Sequence, residues 1–175
     1  MKAGSTGPGG ELAGRRVAVL GVGNELNADD GVGVRVVREL GRMLPARSDV
    51  LLIEAGGAPE NFTGAIRRFQ PDTVIIADAA AMGDKVGAIR WIDWRASDGF
   101  SGSTHTLPPS VLARFLMETV GCDVVLLGIQ PASVEFDQPM SAAVEAAARE
   151  AARQLSARIG LKRDPAPFSE PTEPV

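Results

Sequence analysis

Apolar positions along the chain change period several times. Val17–Leu20 is a continuous apolar run, the pattern of a strand covered on both faces. Val32, Val36, Leu40 and Met43 or Leu44 then recur at helical spacing, with Arg35, Arg38, Glu39 and Arg42 turned to solvent. Asp49–Glu54 reads as a second strand and runs into Gly56-Gly57. Pro59–Phe69 reads as a short helix with Ile66 and Phe69 inward, and Thr73–Ala77 as a third strand ending at Asp78. Gly87–Trp94 alternates as a fourth strand would, with the character of an edge and of an antiparallel partner. Leu107–Met117 returns to helical spacing, Val111, Leu112, Phe115 and Leu116 forming its apolar set and Pro108-Pro109 its first turn. Asp123–Ile129 is a further strand. Ser141 is positioned to cap a last helix through Ile159, with Val144, Ala148, Ala151 and Leu155 on one stripe and Gly160 as the stop. Strands alternating with helices predict an α/β fold: a largely parallel sheet between two helical layers.

The rest of the composition narrows the picture. The 175 residues fit one domain, expected over 15–160, after a flexible leader at 1–14 and before a Pro-rich, acidic, disordered tail at 161–175. A net charge of −4 without a long basic block argues against nucleic acid as a partner; Arg67-Arg68 reads as a solvated helix face. No apolar stretch is long enough to insert in a membrane, and the Gly-rich, polar first fourteen residues lack an apolar core, so they are not expected to act as a secretory signal. One cysteine, Cys122, excludes an internal disulfide and suits a cytoplasmic setting. It opens a strand, at the opposite rim from the acids, and reads as a small buried hydrophobe.

Parallel strands bring their carboxyl ends to one rim, and acids gather there: Asp29-Asp30 after the first strand, Glu54 after the second, Asp78 after the third. Asp29 is the better helix cap by position, which leaves Asp30 for chemistry. Asp78, beside a core strand, is costly unless paired, bound to a metal or part of a site. His105, the only histidine, precedes a helix in the loop Asp98–Thr106 and has the reach to swing over the same rim. Each residue alone has a plain structural reading: a cap, a loop acid, a surface imidazole. Together Asp30, Asp78 and His105 form a mixed O/N set suited to Zn, Ni or Mn, with room for a substrate group or water. A proton-sharing pair of Asp30 and Asp78 is a further option. Gly21-x-Gly23 imitates a dinucleotide fingerprint, but its third glycine falls at Leu26, where a bulky side chain would block close helix–strand packing.

These segments resemble the endopeptidases that mature the large subunit of [NiFe] hydrogenases. The resemblance rests on five blocks in order: Gly21-Val22-Gly23-Asn24 with Asp29-Asp30-Gly31-Val32-Gly33; Glu54-Ala55-Gly56-Gly57-Ala58-Pro59-Glu60-Asn61, with Glu54 where Asp is common; Ile75–Ala79; Thr104–Pro108; and Leu127–Pro131 continuing to Pro139-Met140-Ser141. It covers roughly residues 16–160 and is closest to the subgroup that processes hydrogenase-3-type enzymes. It implies an α/β/α sandwich on a twisted five-stranded sheet. It also implies an endopeptidase that trims the C-terminal extension of a large-subunit precursor after nickel insertion. The metal would arrive with the substrate and meet Asp30, Asp78 and His105, with no organic cofactor. Gly23, Asn24, Glu54, Gly56 and Gly57 are the expected substrate contacts, and the nucleophile is not identified. A hydrolase holding its own zinc-type ion, a nucleotide-binding module and a non-catalytic large-subunit chaperone are the alternatives.

Overall fold

The computed structural model describes residues 12–96 and 107–160. Most of the expected leader, the expected tail and His105 lie outside these residues. Five strands form one sheet: β1 (Val17–Val22), β2 (Val50–Gly56), β3 (Thr73–Ala79), β4 (Ile89–Asp93) and β5 (Asp123–Ile129). Their order is β2-β1-β3-β5-β4, parallel throughout except for β4, which runs antiparallel to β5 at the edge. Among the described residues four α-helices cover it: α1 (Val32–Met43), α2 (Thr63–Phe69), α3 (Pro109–Val120) and α4 (Ala142–Ile159).

Strand alternation divides the core in two. Val17, Val19, Ile75, Ala77 and Leu127 face α1 and α4, where Val36, Leu40, Ala148 and Leu155 meet them. Ala18, Leu20, Val74, Ile76 and Leu126 face the other layer, with Ile66 of α2 and Leu112 and Leu116 of α3. All six residues of β1 are buried, as its unbroken apolar run predicts. The domain is the expected α/β/α sandwich with a mostly parallel five-stranded sheet.

Several local expectations need correction. Leu12 is 6% exposed, packs in the α1–α4 layer and donates its N–H to the Arg158 carbonyl at 2.8 Å, so folded chain begins ahead of residue 15. Glu39 is buried instead of facing away, because Arg35 and Arg42 each reach its Oε1 at 2.9 Å and neutralise it. Val111 and Phe115 stay half exposed on α3, whose buried stripe is Leu112, Ala113 and Leu116. β2 and β3 each run two residues further than expected, so Glu54 and Asp78 lie within strands, not after them.

Candidate functional site

α1 starts unusually close to the sheet. A Cβ on Gly33 would sit 2.1 Å from the Ala77 carbonyl oxygen and 2.4 Å from that of Val22, and one on Gly21 would sit 2.3 Å from the Gly33 oxygen. Only glycine admits this approach. The third glycine that Leu26 fails to supply is therefore supplied by Gly33: close helix–strand packing is present, and Leu26 projects outward at 61% exposure. The packing brings the 3-10 turn Ala28–Gly31 against the carboxyl end of β3. It does so where the connections from β1 and β3 diverge, the usual crevice of a doubly wound sheet.

Asp30 is 3% exposed, and its Oδ2 accepts the Asn24 N–H at 2.9 Å. Asp78 feels it: burial first, then the Asp30 charge, push the Asp78 carboxyl up to about 7, against an opposing hydrogen bond from the Ala79 N–H. A carboxyl held there can carry a proton near neutrality or give it up to a cation. Asp30 and Asp78, separated by 47 intervening residues, are thus brought together. His105 falls outside the described residues. Among the described residues no three His, Cys, Asp or Glu side chains cluster as a metal site.

Asp29 does not cap a helix. At 1% exposure it binds the β5–α4 loop: Oδ1 accepts the Ser141 N–H at 2.6 Å, and Oδ2 accepts the Ala132 N–H at 2.8 Å and the Ser141 hydroxyl at 3.0 Å. Ser141 accordingly occupies the first position before α4 without a side-chain capping bond. In the same block Gln130 Oε1 accepts the Met82 N–H at 2.7 Å and secures the β3–β4 loop. The sequence showed this block as a motif without a role; its signal was polar residues among prolines after a core strand.

The expected substrate contacts divide. Gly23 is glycine for internal reasons: its φ is +122° and a Cβ would fall 1.7 Å from the Asp30 carbonyl oxygen, so packing alone requires it. Its N–H donates to the Gly56 carbonyl at 3.0 Å, tying β1 to β2 at a register shift. Gly56 has φ +61°, and the positions above Gly56 and Gly57 are open. Asn24 is exposed, its Oδ1 accepting the Leu26 N–H at 3.0 Å. Glu54 is exposed and bound to Arg38 at 2.7 Å, which also holds Glu25 at 2.8 Å. Cys122 is buried in the α2–α3 layer, and burial pushes its thiol up to about 11, which removes it as a nucleophile. A cavity of about 300 Å³ lies between Trp94, Arg95, Ser110, Val111 and Arg114; among the described residues none of the predicted site residues lines it.

The chain as a whole has relatives. The hydrogenase maturation protease family profile matches residues 34–157. This chain belongs to the hydrogenase maturation protease family. The hydrogenase 3 maturation protease of Escherichia coli K12 is 37% identical over 124 residues, 70% of this chain and 78% of that one. The crystal structure of a [NiFe] hydrogenase maturation protease from Thermococcus kodakarensis KOD1 superposes with a TM-score of 0.74 at 32% identity, covering 82% of this chain and 92% of that one. The solution structure of an endopeptidase from Escherichia coli gives 0.69 at 30% identity, over 85% and 99%. The chain is accordingly a peptidase of α/β fold. No helix among the described residues is long and apolar enough to cross a membrane.

Proposed function

We propose that this protease removes the C-terminal extension of a [NiFe]-hydrogenase large-subunit precursor once nickel is in place, reading the nickel that the precursor carries. The convergence of Asp30 and Asp78 in one crevice is the observation that supports it. α3 must return to begin β5 at Asp123, so its first residue, Pro109, points toward the same rim. Four residues of chain tether His105 to Pro109, a reach of about 14 Å at most. Asp30, Asp78 and His105 together offer oxygen and nitrogen donors to an ion already held by thiolates of the client.

On this reading the ion is cargo of the substrate. Docking it in the crevice positions the scissile peptide, and the bound ion supplies Lewis acidity to that carbonyl or to a water. The open backbone at Gly56-Gly57 gives an extended peptide room to lie along the rim, with Asn24 and Glu54 beside it. No organic cofactor is required, and a reducing cytoplasm suits the free thiol of Cys122.

Processing of nickel-loaded and nickel-free precursor by the purified protease tests the proposal. Cleavage confined to the loaded form, and its loss in Asp30→Asn and His105→Ala, is expected. Equal cutting of both forms overturns nickel reading and favours a proton-sharing Asp30–Asp78 pair. An ion retained stoichiometrically by the protease after dialysis assigns the metal to the enzyme itself, and precursor binding without cleavage assigns the chain a chaperone role.

A further inference from the structure

Among the described residues the two most exposed large apolar side chains are Phe136, at 71%, and Leu26, at 61%. They belong to different loops, β5–α4 and β1–α1, that meet at the carboxyl rim. The Asp137 N–H donates to the Leu26 carbonyl at 2.8 Å, and Asn27 pairs with Gln138 in an isolated bridge. Val134, at 38%, extends the apolar surface. Neither loop is loose: Asp29 fastens the first to the second through its buried carboxylate, and Asn24 Oδ1 fixes Leu26 from its own side. Large side chains held in water on a braced backbone are the mark of a surface shaped for a partner.

Charge narrows the partner. Glu25 flanks Leu26, while Glu135 and Asp137 flank Phe136; no Lys or Arg occurs between Gly21 and Val34 or between Gln130 and Ser141. Glu25 is neutralised by Arg38, whereas Glu135 and Asp137 have no ion pair among the described residues. The patch is also continuous with the crevice, since Asn24 links Leu26 on one side to Asp30 on the other.

We infer that Leu26, Val134 and Phe136 form a docking surface for the precursor, taking a segment whose apolar side chains are flanked by Lys or Arg. This rests on the large-subunit precursor being the client. It locates a contact that recognises the precursor apart from its metal.

The test is titration calorimetry of the full-length chain with purified nickel-free large-subunit precursor, which the proposed reading leaves uncut. Leu26→Ser and Phe136→Ser alter exposed side chains, and unchanged urea midpoints verify their folding. Each is expected to weaken binding about tenfold or more. Glu135→Lys with Asp137→Lys is expected to weaken it further and flatten its salt dependence. Unaltered affinity in all variants, or no binding by the parent chain, overturns the inference. So does a dimer that dissociates on Leu26→Ser while precursor affinity stays the same, which assigns the patch to a second copy. Binding needs no turnover: a parent chain that binds through the patch yet never cuts loaded precursor overturns the endopeptidase reading and supports the docking surface. Normal cutting with affinity indifferent to the patch does the reverse.

Discussion

On the β1–β3 side of the carboxyl rim, Asp29 and Asp30 are 1% and 3% exposed and Asp78 is crowded enough for its carboxyl to hold a proton near pH 7. On the β2 side, Glu54 lies in solvent, paired with Arg38, whose guanidinium also serves Glu25. All four acids read alike in the chain, each at or just beyond the end of a strand. The difference comes from the glycines. Gly21 and Gly33 draw α1 onto β1 and β3 and close that half of the rim, whereas no helix start presses on Gly56-Gly57. A carboxylate in the closed half is set by its neighbours; one in the open half is set by water and a solvent-facing cation. On the proposed reading the closed half meets the ion and the open half receives the chain.

Removing Asp29 should break this contrast most severely. Asp29→Ala strands the N–H groups of Ala132 and Ser141 and is expected to cost about 3 kcal/mol, read as a lower urea midpoint, and to loosen the β5–α4 loop in hydrogen exchange. Retention of the parent midpoint would mean that the two loops are held by other means.

An effect confined to the upper pH range is expected from Asp78→Asn. The folded chain holds this proton at about 7 against an ordinary 3.8, so the stability gained is complete below about pH 4 and is lost as the pH climbs through 7. Relative to the parent, the amide variant should gain a few kcal/mol between pH 4 and 8, at most about 4, since each unit between 3.8 and 7 is worth about 1.4 kcal/mol. Parallel stability curves for the two proteins would contradict the partly buried, charge-opposed setting of Asp78.

Glu54→Gln sharpens the comparison from the other side. Its ion pair is exposed and Arg38 keeps Glu25, so the stability change should stay below about 0.5 kcal/mol. If Glu54 contacts the client, KM for the precursor rises with kcat held; equal KM values would remove it from the substrate path.

Much of the fold was legible because periodicity reports burial. The continuous run of β1, the edge character of Ile89–Asp93 and the stripe of α4 all appear where the pattern put them. Phe115 and Val111 were misassigned because helical spacing finds an apolar face but cannot say which half of it meets the sheet. The acids of the candidate site were legible as residue types gathered on one rim. Its inner workings were not: Asp29 looked like a cap, and only the position of Ser141 and Ala132 in space makes it a clasp.

The sequence by itself determined the order of elements, the rim that carries the acids, and the family blocks, because these depend on local period and on residues adjacent in the chain. Tertiary structure alone decided that Gly33 replaces the missing third glycine, that Gly23 serves packing, and that Asp30 lies close enough to Asp78 to shift its proton affinity. Such facts depend on gaps of a few ångströms between segments dozens of residues apart, and a carboxylate's chemistry is fixed by what fills those gaps.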